Sequence, residues 1–191
     1  MIPRRALTAL IVSGLTLGGL LPLSVAASAD GIEPLYDLVD TATQRLQTAD
    51  PVAADKWLRG GPITDPVRVG QVLENVSNEA ESVGVPSEYV TTLFADQIDA
   101  TEAIQYSRFS WWKFNPAAAP VSAPDLSESR ALIDDLNHRM VSLIAAEWPV
   151  LDSPECPIRL EAARTAVAFA RQLDPLYEQA LDVATRSYCQ T

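Results

Sequence analysis

The sequence predicts an all-α fold, a single helical-bundle domain of about six helices. Three observations lead there. Apolar residues recur at helical spacing through almost all of the chain beyond residue 30. Stretches of period-two alternation, the mark of half-buried strands, are nearly absent. Helix start and stop signals, chiefly Asp-Pro pairs, a capping pattern and single glycines, divide the chain at intervals that suit helices.

The first segment is read as a leader. Arg4 and Arg5 precede an apolar run from Ala6 to Val25, and Ala27-Ser28-Ala29 is a small-residue cleavage pattern. Glycines and Pro22 interrupt the run, which argues against a retained membrane anchor. Residues 1–29 are therefore expected to be a cleaved signal peptide, with residues 30–191 as one exported domain. Export implies a secreted or periplasmic location. No later stretch is apolar enough to cross a bilayer.

The chain carries 14 basic and 25 acidic residues. Removing Arg4 and Arg5 leaves 12 basic residues and a formal charge of −13. Nucleic acid is an unfavourable partner for such a surface. A small anion would be repelled overall, so its binding requires a local cluster of cations. The two cysteines, Cys156 and Cys189, most simply form one disulfide in an exported chain. Together with the single His138 they do not make a zinc site.

The elements follow in order. The first helix is expected over Ile32 to Thr48, with Leu35, Leu38, Val39, Ala42 and Leu46 on one side. Asp50-Pro51 is either an N-cap with proline in the first turn or a proline kink, and helix continues to about Arg59. Gly60-Gly61-Pro62 is a loop. Asp65-Pro66 starts the next helix, Val69, Val72, Leu73, Val76, Ala80 and Val83 form its apolar face, and Gly84 ends it. A long helix runs from near Pro86 to about Lys113. Residues 115–124, rich in proline and alanine, form a stiff connector. Asp125 and Glu128 read as a capping box for a helix that ends before Pro149. A turn around Cys156 precedes a last helical region, Ile158 to Tyr188, interrupted at Asp174-Pro175.

Six side chains are candidates for a site: Arg45, Lys56, Arg68, Thr101, Gln105 and Arg130. Arg45 and Lys56 are eleven residues apart, about three helical turns, so an unbroken helix would put both on one face. Pro51 lies between them and weakens that argument, and solvated surface is the plain alternative. Thr101 and Gln105 stand at i and i+4, with the apolar Ile98 on the same face. They either pair within the core or face a ligand. Arg68 and Arg130 lie in the first turns of their helices, where a cation opposes the helix dipole by a few tenths of a kcal/mol. An anion nearby would offset this, and Asp65 is the natural partner for Arg68. His138 is read as structural or exposed, and Trp111 and Trp112 as packing or a dimer contact. Asn75-Val76-Ser77 matches a glycosylation sequon, a pattern of low specificity.

Three segments carry a resemblance: Ala49-Asp50-Pro51-Val52-Ala53-Ala54-Asp55-Lys56-Trp57, Asp65-Pro66-Val67-Arg68-Val69, and the stretch from Asp96 to Phe109 that contains Gln97-Ile98-Asp99-Ala100-Thr101-Glu102-Ala103-Ile104-Gln105. With Asp125 to Arg130 and the cysteine pair, the chain resembles the exported all-helical chorismate mutases (type II, gamma subclass) over residues 30–191. The resemblance implies rearrangement of chorismate to prephenate without metal or cofactor. It places Arg45, Lys56, Arg68, Thr101, Gln105 and Arg130 at ligand-binding positions, with Asp65 and Val72 lining the same pocket. Lys56, Gln105 and Arg45 would be the catalytic set: Lys56 and Gln105 would donate to the ether oxygen of the breaking bond, and Arg45, Arg68 and Arg130 would hold mainly the two carboxylates. Some relatives carry Glu at the position of Gln105. The resemblance further implies a homodimer with each site inside one chain. The competing expectation is an exported helical module that binds a small dianion and does not turn it over.

Overall fold

The computed structural model describes residues 33–190. The expected leader, residues 1–29, and Ile32 lie outside the described residues. Seven α-helices and one short 3-10 turn occupy them: α1 Tyr36–Gln47, α2 Ala49–Arg59, α3 Pro66–Val83, α4 Ser87–Phe114, α5 Leu126–Leu151, α6 Cys156–Arg171 and α7 Pro175–Ala184, with the turn at Pro116–Ala118. No strand occurs among the described residues. Only Thr48 separates α1 from α2, so the pair counts as one kinked rod and the bundle has about six helical segments.

The Asp50-Pro51 signal resolves as the kink. Pro51 lacks the N–H that would bond the Gln47 carbonyl, and its ring crowds that carbonyl, so α1 stops at Gln47. Thr48 bridges the break by donating its Oγ1 to the Arg45 carbonyl at 2.7 Å. Asp50 does not cap α2; it takes both Nε and an NH2 of Arg108 on α4, at 2.7 and 3.1 Å. That two-pronged pair fixes the start of α2 against the long helix.

The remaining signals work locally. Asp65 accepts from the Arg68 N–H and Pro66 fills the first turn of α3. Asp174 caps α7 through the Tyr177 N–H. Gly60 and Gly84 end α2 and α3 with φ of 76° and 77°, a conformation open to glycine. Asp125 caps α5 by accepting from Ser127 N–H and Oγ, which replaces the expected exchange with Glu128. Three expected boundaries fail: α1 starts at Tyr36, α7 ends at Ala184 short of Tyr188, and α5 continues through Pro149 to Leu151. Proline affects the carbonyl four residues earlier, here Ala145, and with only two residues of helix left it interrupts little. The last region begins at Cys156, two residues before the expected Ile158.

The core is one cluster. Leu38, Val39, Ala42 and Leu46 of α1 meet Val90, Leu93, Phe94 and Ile104 of α4 and Met140, Val141 and Ile144 of α5. Burial of each large side chain stabilises the fold by about 1.5–3 kcal/mol. α4 lies against α2, α3 and α7, while α1 lies against α5 and α6. Cys156 and Cys189 form the disulfide, joining residues 33 positions apart. The C-terminal segment is also held by Gln190 N–H to the Leu151 carbonyl at 3.1 Å and by the Tyr89 hydroxyl, which donates to the Tyr188 carbonyl at 2.6 Å. No described helix is long and apolar enough to cross a membrane.

Candidate active site

A cavity of about 100 Å³ opens among α1 to α5. Each of five helices contributes. Arg45 comes from α1, Lys56 from α2, Arg68 and Val72 from α3, Thr101 and Gln105 from α4, and Arg130 from α5, with Asp65 at the cap of α3. All eight residues singled out in the sequence line this one cavity.

Arg45 is 4 % exposed, and burial pushes its guanidinium down to about 10. Its Nε donates to Asn137 Oδ1 at 2.7 Å and its NH1 to Thr101 Oγ1 at 3.3 Å. The guanidinium carbon stands 5.8 Å from the centre of the Phe94 ring, within cation–π range. Thr101 in turn donates to the Gln97 carbonyl, so its oxygen faces Arg45 as an acceptor. Gln105 is 3 % exposed; its Nε2 reaches the Thr101 carbonyl at 3.4 Å and its Oε1 is buried without a partner. Such a weakly held amide is available to a ligand.

Lys56 is half-buried and its Nζ donates to the Ile63 carbonyl at 2.6 Å. Burial lowers its pKa, and the neighbouring Glu102 and Asp65 oppose that shift. Trp57, the next residue, packs edge-on to Phe109 and Trp112 of α4, with ring centres 5.2 and 5.5 Å away. The aromatic cluster thereby fixes the end of α2 that carries Lys56.

Arg68 and Arg130 find anions, but not in the expected pairing; Arg130 is the fifth residue of α5, one place beyond its first turn. Arg68 donates its side chain to Asp134 on α5, while Asp65 takes only its backbone N–H. Asp65 pairs instead with Arg130, at 3.4 Å. His138 is exposed beside Glu79 of α3, away from the cavity lining. Trp112 is buried in the aromatic cluster and Trp111 is exposed.

Sequence reasoning missed the apolar wall: Val52, Ile63, Val69, Leu126 and Ile133, with Ile98 known only as a neighbour of Thr101. It also missed the acidic Glu102. Helical spacing held the signal. Val52 precedes Lys56 by four, Ile98 precedes Thr101 by three and Leu126 precedes Arg130 by four.

Four cations, a buried amide and an apolar wall share this one cavity, with Arg68 and Arg130 each paired to a carboxylate. Comparison with known proteins decides the family. Residues 36–106 match the family described as chorismate mutase type II. A secreted chorismate mutase of Mycobacterium tuberculosis is 50% identical over 190 residues, 98% of this chain and 96% of that protein. The chain belongs to the chorismate mutases of the all-helical type. A second relative, the secreted chorismate mutase of Mycolicibacterium smegmatis, is 55% identical over 163 residues, covering 85% of this chain and 90% of that one. The crystal structure of a chorismate mutase from Burkholderia thailandensis superimposes with a TM-score of 0.77 at 33% identity, covering 83% of this chain and all of that one. The all-helical bundle is thus the fold of the family.

Proposed function

We propose that this cavity rearranges chorismate to prephenate. The observation that carries the proposal is the convergence of Arg45, Lys56, Arg68 and Arg130, each from a different helix, on one space shared with Thr101 and Gln105.

The reaction breaks one C–O bond and forms one C–C bond within a single molecule. The chain therefore has to fold the substrate and stabilise charge; no nucleophile is required. Arg68, Arg130 and Arg45 are assigned to the two carboxylates, since guanidinium groups can bind a carboxylate with two bonds. Thr101 supports a carboxylate beside Arg45. The apolar wall of Val52, Ile63, Val72 and Ile98 confines the ring and the enolpyruvyl arm in the reactive, folded arrangement. Fixing that arrangement removes much of the entropic barrier. As the C–O bond breaks, negative charge grows on the ether oxygen. Lys56 Nζ and Gln105 Nε2 are assigned as its donors. Preset donors of this kind are each worth about 3–4 kcal/mol in the transition state.

Export and dimerisation belong to the same reading. The two mycobacterial relatives are described as secreted, which supports export through residues 1–29. N-terminal sequencing of protein recovered from outside the cytoplasm tests cleavage after Ala29. Light scattering of the purified protein tests the homodimer.

The decisive assay follows chorismate absorbance after purified protein is added. Loss of absorbance with prephenate as product is expected. Thermal stabilisation by a dicarboxylate transition-state mimic without turnover would instead leave a binding module.

A further inference from the structure

We infer that Asn137 is a positioning residue: it holds Arg45 through Nε with an uncharged acceptor, so the guanidinium is fixed in place while its charge stays available to a substrate carboxylate. The inference rests on the site reading above. Among the described residues, every other arginine that is not exposed pairs with a carboxylate: Arg68 with Asp134, Arg108 with Asp50, Arg159 with Glu33, Arg164 with Asp182 and Arg171 with Asp40. Arg45 is the most deeply buried of them, and its Nε partner is an amide.

Burial without a carboxylate is costly for a cation, and the downward shift of Arg45 reflects that cost. A chain this acidic has carboxylates to spare, so the amide has a chemical consequence. An aspartate at the same point would form a tight pair with Arg45 and cancel much of the field that draws a dianion. The amide supplies the same geometry without the charge. Asn137 is 5 % exposed and does not line the cavity; Ile133, one turn earlier on α5, does. It lies across the chain from Arg45, 92 residues away, so this bond also sets α5 against α1 beside the site. Thr101 holds NH1, which leaves the arginine orientation specified at two of its nitrogens.

The test is a double-mutant cycle with Asn137→Asp and Arg45→Gln, reading kcat, KM and the thermal melt of each. Asn137→Asp is expected to melt at or above the parent temperature, since it gives a buried cation a counter-charge. Its kcat/KM is expected to fall by about tenfold or more, the scale of one charge-assisted bond. Glutamine at position 45 carries no charge for residue 137 to cancel, so Asn137→Asp is expected to have little further effect on kcat/KM in the Arg45→Gln background. Unchanged kcat/KM in a folded Asn137→Asp protein overturns the inference. So does an equal penalty in both backgrounds, which marks a purely structural role. If Asn137→Asp does not fold, Asn137→Ser, which withdraws the acceptor from Nε, is read by the same criteria. Full activity in Arg45→Gln alone would overturn the site reading, which is a separate failure.

Discussion

Lys56 Nζ donates to the Ile63 carbonyl at 2.6 Å, across the loop that its own backbone closes by accepting from Gly60 and Gly61 N–H. The ammonium is thus held at the cavity rim by a neutral carbonyl, which a stronger anionic acceptor can displace. Lys56→Ala is expected to lower kcat by about a hundred- to a thousandfold, the usual loss for one transition-state donor. The helical circular dichroism should remain that of the parent, because Trp57, Phe109 and Trp112 still anchor α2. Steady-state kinetics on chorismate checks this, and parental turnover would remove Lys56 from the mechanism.

The pH profile follows from the same donors. Gln105 donates without titrating, so kcat/KM should be nearly level from mildly acidic to neutral pH. Burial lowers the Lys56 pKa below the ordinary 10.5, so the protonated form is lost at a lower pH than for an exposed lysine. The alkaline limb of kcat/KM should therefore begin below that value, and the limb of kcat at a higher pH than the limb of kcat/KM, since a bound dianion favours the ammonium. Gln105→Glu should shift the optimum to acid, because a carboxyl group donates only when protonated. Stopped-time assays across pH check both profiles; a steep fall of the parent between mildly acidic and neutral pH would contradict the role of Gln105.

Asp134 competes for Arg68. Asp134→Asn keeps an acceptor for the guanidinium and removes a negative charge from the rim of the site. KM for chorismate should fall by a few fold at low ionic strength, and the gain should shrink as salt screens it. The pair is partly exposed, so stability should change by only about 0–1 kcal/mol. Kinetics over a salt series, with a thermal melt, checks the prediction; a raised KM would show that Asp134 serves the site by orienting Arg68.

The sequence disclosed what is set locally. Asp65-Pro66, Asp174-Pro175 and Gly84 act within one turn of themselves, and the structure puts helix ends at each. The faces were legible too, because 3.6-residue periodicity fixes which side of a helix is apolar. The register between helices was not. Nothing near Asp50 indicates that its carboxylate meets Arg108, 58 residues on, instead of capping α2. For the same reason Arg68 and Arg130 were known to need anions, while their exchange of Asp65 for Asp134 depends on how α3 packs against α5. Asn137 carried no local signal at all: an asparagine within an amphipathic helix gains meaning only through Arg45, 92 residues away.

The disulfide should govern stability more than turnover. Cys156 and Cys189 close a loop spanning 33 residues, which constrains the unfolded chain by about 3–4 kcal/mol on the chain-entropy account. For a domain of this size that corresponds to a loss of roughly 10 °C in Tm when both are replaced by serine. None of the cavity-lining residues comes from α6, α7 or the segment after them. Activity well below the melt should therefore persist in Cys156→Ser/Cys189→Ser. Tyr89 and Leu151 continue to hold the C-terminal backbone through the Tyr188 carbonyl and the Gln190 N–H, so the segment stays seated without the covalent tie. Calorimetry of the parent and the double variant, paired with kcat at 25 °C, checks the separation (a reference temperature). A large loss of kcat in a protein still folded at that temperature would mean that the tie transmits to Arg45, whose buried surroundings include Tyr188.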